Sequence, residues 1–288
     1  MNTLQEKEYV EKELLTASGY VDMHTHSENS HDSVCRIEAM CQAQIQRGTQ
    51  IMAVTDHCDV YSYDDYDIYT PIKRAYDTVA ELNEKYKGQI QLLSGVEISE
   101  GFWFPEESEK IQHLVPYDVI LGSVHCVKYK DMIRSYSTMD FSRLSEQVIY
   151  EYLNAYFDDI LTLFDTTDFD VLTHLTCPLR YITGKYGITI DLSRFSEKIT
   201  RILQRVIQEE KALEVNTSSY AVLNDFMPCR EIVKQYKDMG GSIITIGSDA
   251  HVVENAATNF EKALEFLKEL GFTEIYYYKK RKRYAWAI

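Results

Sequence analysis

The chain is poor in the features that would place it in several common classes. Its six cysteines, Cys35, Cys41, Cys58, Cys126, Cys177 and Cys229, form no CxxC pair. A chain of 288 residues needs no disulfide staples. The thiols read as reduced, small and mostly buried, which fits a cytoplasmic protein. The first residues, MNTLQEKEYVEKELLTASG, are charged and lack an apolar h-region, so no signal peptide is expected there. No run approaches the ~18 apolar residues of a membrane helix. There is no GxGxxG or P-loop to cradle a nucleotide, and no GxSxG elbow to carry a nucleophilic serine. Basic residues are outnumbered, 30 Lys and Arg against 45 Asp and Glu, for a formal net charge of −15. Diffuse negative charge repels polyphosphate chains, which argues against a general nucleic-acid partner. It still admits a small phosphorylated substrate, because bound cations reverse the local field. The one basic block, Lys279-Lys280-Arg281-Lys282-Arg283, reads as a solvated terminus. Linkers and internal repeats are missing too. One domain is expected over 19–288, preceded by a charged helical extension over 1–18.

What the chain does have is alternation. Apolar, β-rich runs recur at 19–24, 51–55, 91–98, 117–124, 169–173, 212–216 and 243–247. Most are short and nearly continuous, as for strands buried on both faces. The spacing predicts helices over 36–47, ending at Gly48, and over 71–87, opening on Pro71 and stopping before Gly88. Further helices are expected over 142–164, 193–211, 230–239 and 256–269, and a last strand over 274–278. Such alternation implies parallel βα units. Seven or eight units in 288 residues favour an α/β fold with a closed or distorted barrel over a doubly wound open sheet.

Seven of the eight histidines lie at the ends of apolar runs; only His113 does not. The segments are VDMHTHSENSHD (21–32), MAVTDHCD (52–59), LSGVEIS (93–99), VILGSVH (119–125), DVLTHL (170–175) and IITIGSDAH (243–251). In a (β/α) barrel, function sits where strands end and loops begin. His24 and His26 are one residue apart, so a strand points both to one face. Asp56-His57, Glu97, His125, His174, Asp249 and His251 bring carboxylate and imidazole to the same rim. Mixed N/O ligand sets of this kind suit Zn²⁺, Mn²⁺ or Fe²⁺.

HTH, TDH, GVE, GSVH, the lone THL histidine and GSDAH, in that order, resemble the polymerase and histidinol phosphatase (PHP) superfamily over residues 22–251. The short GSVH and the LTHLTCPLR segment are most similar to its stand-alone histidinol-phosphate phosphatase branch. The resemblance implies a distorted (β/α)₇ barrel with three divalent metal ions, Zn, Mn or Fe. It assigns His24, His26, Glu97 and Asp249 to the first ion. Glu97, as a bridge, with His125 and His174 would hold the second, and Asp32, His57 and His251 the third. Counting from His26, Asp32 falls at the family's offset and is favoured over His31. His31 then stands behind a ligand or faces substrate, and Asp56 orients a ligand.

The implied activity is metal-dependent phosphomonoester hydrolysis of L-histidinol phosphate, a step of histidine biosynthesis. A metal-bridging hydroxide would attack phosphorus in line. The alternatives are another small phosphoester or a nucleotide, phosphotyrosine protein, and, in a different class, a non-catalytic metal-binding module. Arg180, six residues after His174, is the candidate phosphate clamp. A second phosphate arginine is missing after LEVNTSS, where the nearest is Arg230. Asn216 either touches substrate or caps a turn. Asp249 or His251 would pass a proton to the leaving alkoxide. Residues 60–70, VYSYDDYDIYT, follow the second strand. Their aromatics, with Asp64, Asp65 and Asp67, are expected to hold a cationic amine and imidazole.

Overall fold

Each continuous apolar run becomes a strand with a neighbour on both sides. The computed structural model describes residues 19–129 and 132–288; the extension expected over 1–18 lies outside them. In chain order the elements are β1 (Tyr20–Thr25), α1 (Ile37–Gln46), β2 (Thr49–Val54), β3 (His57–Asp59), α2 (Tyr69–Lys85), β4 (Gln91–Ser99), α3 (Pro105–Gln112), β5 (Val119–Ser123), β6 (Cys126–Tyr129) and β7 (Met132–Ser135). There follow α4 (Glu146–Thr166), β8 (Val171–Leu172), α5 (Pro178–Ile182), α6 (Ser196–Gln208), β9 (Ala212–Asn216), α7 (Tyr220–Leu223), α8 (Arg230–Asp238), β10 (Ile244–Gly247), α9 (Phe260–Glu269), β11 (Glu274–Lys279) and β12 (Lys282–Ala287).

The barrel runs β1-β2-β4-β5-β8-β9-β10, parallel throughout. Short β3 pairs with the outer half of β4 and sets His57 opposite Glu97. The last gap, between β10 and β1, closes by a bridge from Thr25 to Ala250 rather than a ladder. There Asp249 N–H donates to His24 O at 2.8 Å and His26 N–H to Ala250 O at 3.0 Å. This is the distorted (β/α)₇ barrel of the sequence reading. Close approach requires Gly247: a Cβ there would overlap Glu214 Oε1 and lie 2.6 Å from His24 Cβ.

The strands are buried on both faces; Leu92, Leu93, Val96 and Ile98 of β4 are all at most 1 % exposed. Helices cover the outside with apolar stripes. In α6, Ile199, Ile202, Leu203 and Val206 fall at i, i+3, i+4 and i+7 and are buried. The long α4 starts at Ser145, whose hydroxyl accepts from Val148 N–H. It buries Tyr152, Tyr156 and Phe157 against the barrel, each ring contributing about 1.5–3 kcal/mol by area. Among the described residues no helix is long and apolar enough to cross a membrane.

The basic block is not a loose terminus. Lys279 pairs with Lys282 across a two-residue turn between β11 and β12. Lys280 and Arg281 both have left-handed backbone, φ 52° and 61°, as the tight hairpin turn with the strands' own twist requires. Asp118 fixes the turn: Lys280 N–H donates to its Oδ1 and Arg281 N–H to its carbonyl, both at 2.9 Å. The Arg281 guanidinium reaches Asp168 and Asp170. Arg281 is thus spent on the acids that precede β8, while the side chains of Lys279, Lys280 and Lys282 are exposed, as the sequence reading expected of the block.

Candidate metal centre

Three groups of ligand atoms meet at the C-terminal mouth of the barrel. In the first, His24 Nε2 and His26 Nε2 are 3.0 Å apart. Glu97 Oε2 lies 3.4 and 3.7 Å from them, and Asp249 Oδ1 3.8 and 3.2 Å. An ion with ligand bonds near 2.1 Å in a tetrahedron has edges of about 3.4 Å, the scale of these separations. In the second, Glu97 Oε1 faces His125 Nε2 at 3.2 Å and His174 Nε2 at 2.8 Å. In the third, His57 Nε2 and His251 Nε2 are 3.4 Å apart and flank Asp32 at 3.6 and 3.3 Å. Glu97 thus gives one oxygen to each of the first two groups, and His57 Nδ1 lies 2.9 Å from its Oε2.

The donor set suits cations. Glu97 Oε2 is buried without a hydrogen bond although three imidazoles crowd it, and His57 Nδ1 is likewise unsatisfied. A buried carboxylate oxygen left so is costly unless a positive charge sits beside it. Burial opposes ionisation of Glu97, yet the imidazoles of His125, His24 and His57 more than offset it and hold the carboxyl well below the usual range. Asp249 is held down in the same way by His26, His24 and Arg180 against its burial. Burial, reinforced by His57 and His251, keeps His26 well below the usual imidazole value.

The first two groups are braced from behind. Glu214 Oε1 takes His24 Nδ1 at 2.7 Å, while its Oε2 accepts from His174 N–H at 2.7 Å. Asp56 accepts from Ser30 Oγ at 2.7 Å, and Ser30 Oγ lies 3.1 Å from His26 Nδ1. Asp56 therefore acts on His26 through a serine, the orienting contact expected of it. Asp59 faces His125 Nδ1 at 3.1 Å. Such partners fix tautomer and ring direction. His174 and Asp249 also have left-handed backbone, φ 24° and 52°, a strain that surrounding contacts must hold. Glu214, Asp59 and Ser30 escaped the sequence reading. Their signal was faint: an acid inside the apolar run LEVN, and a second acid two residues after His57.

The mouth encloses a cavity of about 180 Å³ whose walls include Tyr61, Tyr136, Ser137, Thr138, Arg180 and Tyr181 beside the clustered side chains. Arg180, on α5, lies 3.5 Å from Asp249 Oδ2. His31 is also at the rim, 65 % exposed, with Nδ1 3.5 Å from Asp59 Oδ2. Asp32, not His31, meets His57 and His251. The other candidates lie outside the cavity. Asn216 is fully buried and does not line the cavity. It donates to Glu214 Oε2 at 3.2 Å and accepts from Ser218 N–H, the turn role. Asp64, Asp65 and Asp67 are exposed and outside the cavity, and Asp67 caps α2 by accepting from Tyr69 and Thr70 N–H. Arg230 is bound to Asn224 O, Asp225 and Tyr220, away from the cavity.

Comparisons with known proteins agree on the kind of molecule. The family model of the PHP domain matches residues 22–218. A curated protein of Clostridium acetobutylicum named probable histidinol-phosphatase is 27 % identical over 92 % of this chain and 99 % of its own. The Lactococcus lactis histidinol phosphate phosphatase, whose crystal structure is a complex with zinc, L-histidinol and phosphate, superposes with a TM-score of 0.75. It is 24 % identical, over 91 % of this chain and 98 % of that one. A putative histidinol phosphatase of Listeria monocytogenes gives a TM-score of 0.73 at 15 % identity, over 84 % and 99 %.

Proposed function

The chain belongs to the PHP domain family, and on that premise we propose that it is a metal-dependent phosphomonoesterase that hydrolyses L-histidinol phosphate to L-histidinol and phosphate. The observation that carries the reading is Glu97, buried, ionised and without a hydrogen bond on Oε2, at the junction of the imidazole groups. His24, His26, Glu97 and Asp249 would hold one divalent ion, Glu97, His125 and His174 a second, and Asp32, His57 and His251 a third. The relative with zinc, histidinol and phosphate in its site supports both the metal and the substrate, as do the curated relatives' names. Divalent cations supply an acidified water and polarise the phosphoryl oxygen.

The chain's own residues do the rest. The Arg180 guanidinium, raised further above its usual value by Asp249 despite burial, stays charged and can clamp two phosphate oxygens. Of the two candidates for relaying a proton to the leaving alkoxide, His251 has Nδ1 committed to Asp249 O at 2.9 Å. Asp249 Oδ2 is committed too, accepting from Ser218 Oγ at 3.1 Å and facing Arg180 at 3.5 Å, so both remain candidates. The small cavity, about 180 Å³, suits a small ester better than a phosphoprotein or a polynucleotide. Six free cysteines fit a cytoplasmic location. Phosphate release by the metal-loaded protein tests the assignment. L-histidinol phosphate should turn over at least about 100-fold more efficiently than p-nitrophenyl phosphate, and parity between the two would overturn it.

A further inference from the structure

The β4–β5 ladder ends where Ser99 pairs with Ser123. His125 lies just beyond it, in the step between β5 and β6. There a side chain takes the place of the next strand carbonyl. Glu100 Oε1 accepts from the backbone N–H of His125 at 2.5 Å and of Cys126 at 2.8 Å. Its Oε2 accepts from Ser99 Oγ at 2.7 Å. Glu100 is fully buried, so these donors stand in for lost water. Its own backbone is left-handed, φ 50° and ψ 21°, which is uncommon for a residue with a Cβ. Surrounding contacts must hold such a conformation. Both amides adjoin the imidazole that meets the shared carboxylate, His125 Nε2 being 3.2 Å from Glu97 Oε1. Any shift of the backbone at His125 carries that nitrogen with it.

We propose that Glu100 is a positioning residue for the second metal site: by capping the end of β5 it fixes the backbone of His125, and so the place of Nε2 opposite Glu97. It acts through His125 and supplies no ligand atom itself. This rests on the three-ion reading of the centre and deepens it. The role requires reach rather than charge. Glu100→Gln keeps an oxygen for the two amides, and its NH₂ group can donate to Ser99 Oγ. Glu100→Asp keeps the charge but is one methylene short. Glu100→Ala leaves both N–H groups unmet.

The experiment titrates metal-free full-length protein with Mn²⁺ and reads the ions bound per chain by competitive chelation. Electron paramagnetic resonance adds the spin coupling between the two ions that Glu97 bridges. In Glu100→Asp and Glu100→Ala one of the three ions should bind about 10–100-fold more weakly, and the coupling should fade with it. The other two ions should stay within about threefold of wild type, and Glu100→Gln should restore the weakened one to the same range. If Glu100→Ala does not fold, the contrast between Asp and Gln still decides. Wild-type affinity at every site in Glu100→Asp overturns the proposal. So does a Glu100→Gln variant as weak as Glu100→Asp, which would make charge the requirement. A loss spread evenly over the three ions, with a lower Tm for the metal-free variant, also overturns it and leaves Glu100 a strut of the fold. A wild-type protein that holds fewer than three ions overturns the metal reading and the proposal together, whereas the variant outcomes overturn the proposal alone.

Discussion

Glu97 sits where three sets of imidazoles meet, so its charge holds the centre together. Glu97→Gln keeps the shape and removes the charge. Turnover should fall on the order of 100-fold or more, and metal retained after gel filtration should drop; unchanged metal content by elemental analysis would refute the shared-ligand role. Ser30→Ala cuts the link from Asp56 to His26 and also removes the acceptor of His57 N–H at 3.1 Å. Metal affinity or activity should fall about 10–100-fold, read by competitive chelation. The histidines themselves were legible, because imidazole at a strand end has no folding reason to recur. Glu214 and Asp59 were not, because an acid near a strand end reads equally as ligand, cap or exposed charge. Only the partner nitrogen distinguishes these roles, and that partner is 190 residues away for Glu214. Asn216 shows the converse: a strand-end position can turn under the floor instead of into the mouth.

At the scale of elements, the closing of β10 on β1 depends on a missing side chain. Gly247→Ala would push Glu214 off His24. Thermal unfolding should show a destabilisation of about 1–3 kcal/mol, with metal affinity falling alongside; an unaltered Tm would mean the strands part at no cost. The β11–β12 hairpin has a pH signature. Burial pushes the Asp170 carboxyl up to about 6, with Arg281 pulling it back. Between about pH 4 and 6 the folded state holds more protons than the unfolded chain, so Asp170's contribution to stability falls as pH rises through that window. Arg281→Ala raises Asp170 further and leaves its charge unpaired above the window. The variant should lose about 1–3 kcal/mol at pH 8 and distinctly less at pH 5; equal losses at both would show that the pair is not coupled. Long apolar strands and amphipathic helices such as α6 were legible to within a few residues, because periodicity reports one buried face. The β6–β7 hairpin, three-residue β3 and acid-rich α3 were not. They are too short for a period, and β3 exists because β4 runs past β2 and offers it an edge.

For the whole molecule, removing the metals should be felt beyond the rim. A tight chelator should abolish hydrolysis, and Zn²⁺ or Mn²⁺ should restore it. Because ions bind the folded chain alone, Tm should fall on chelation and climb back with metal concentration. At about 2–4 °C per kcal/mol, typical of domains a little smaller than this one, a shift of several degrees is expected. A Tm indifferent to metal would count against three buried ions. The closing contact between β1 and the segment after β10 bears on synthesis as well as stability. His24 and His26 leave the ribosome early, whereas Asp249 and His251 come more than 220 residues later. Until that late segment docks, the early imidazoles have no carboxylate from the far side and Arg180 no acid to face. A nascent chain lacking it therefore holds only part of the first and third ligand sets, and acquisition of the full metal complement reports that the ring has shut.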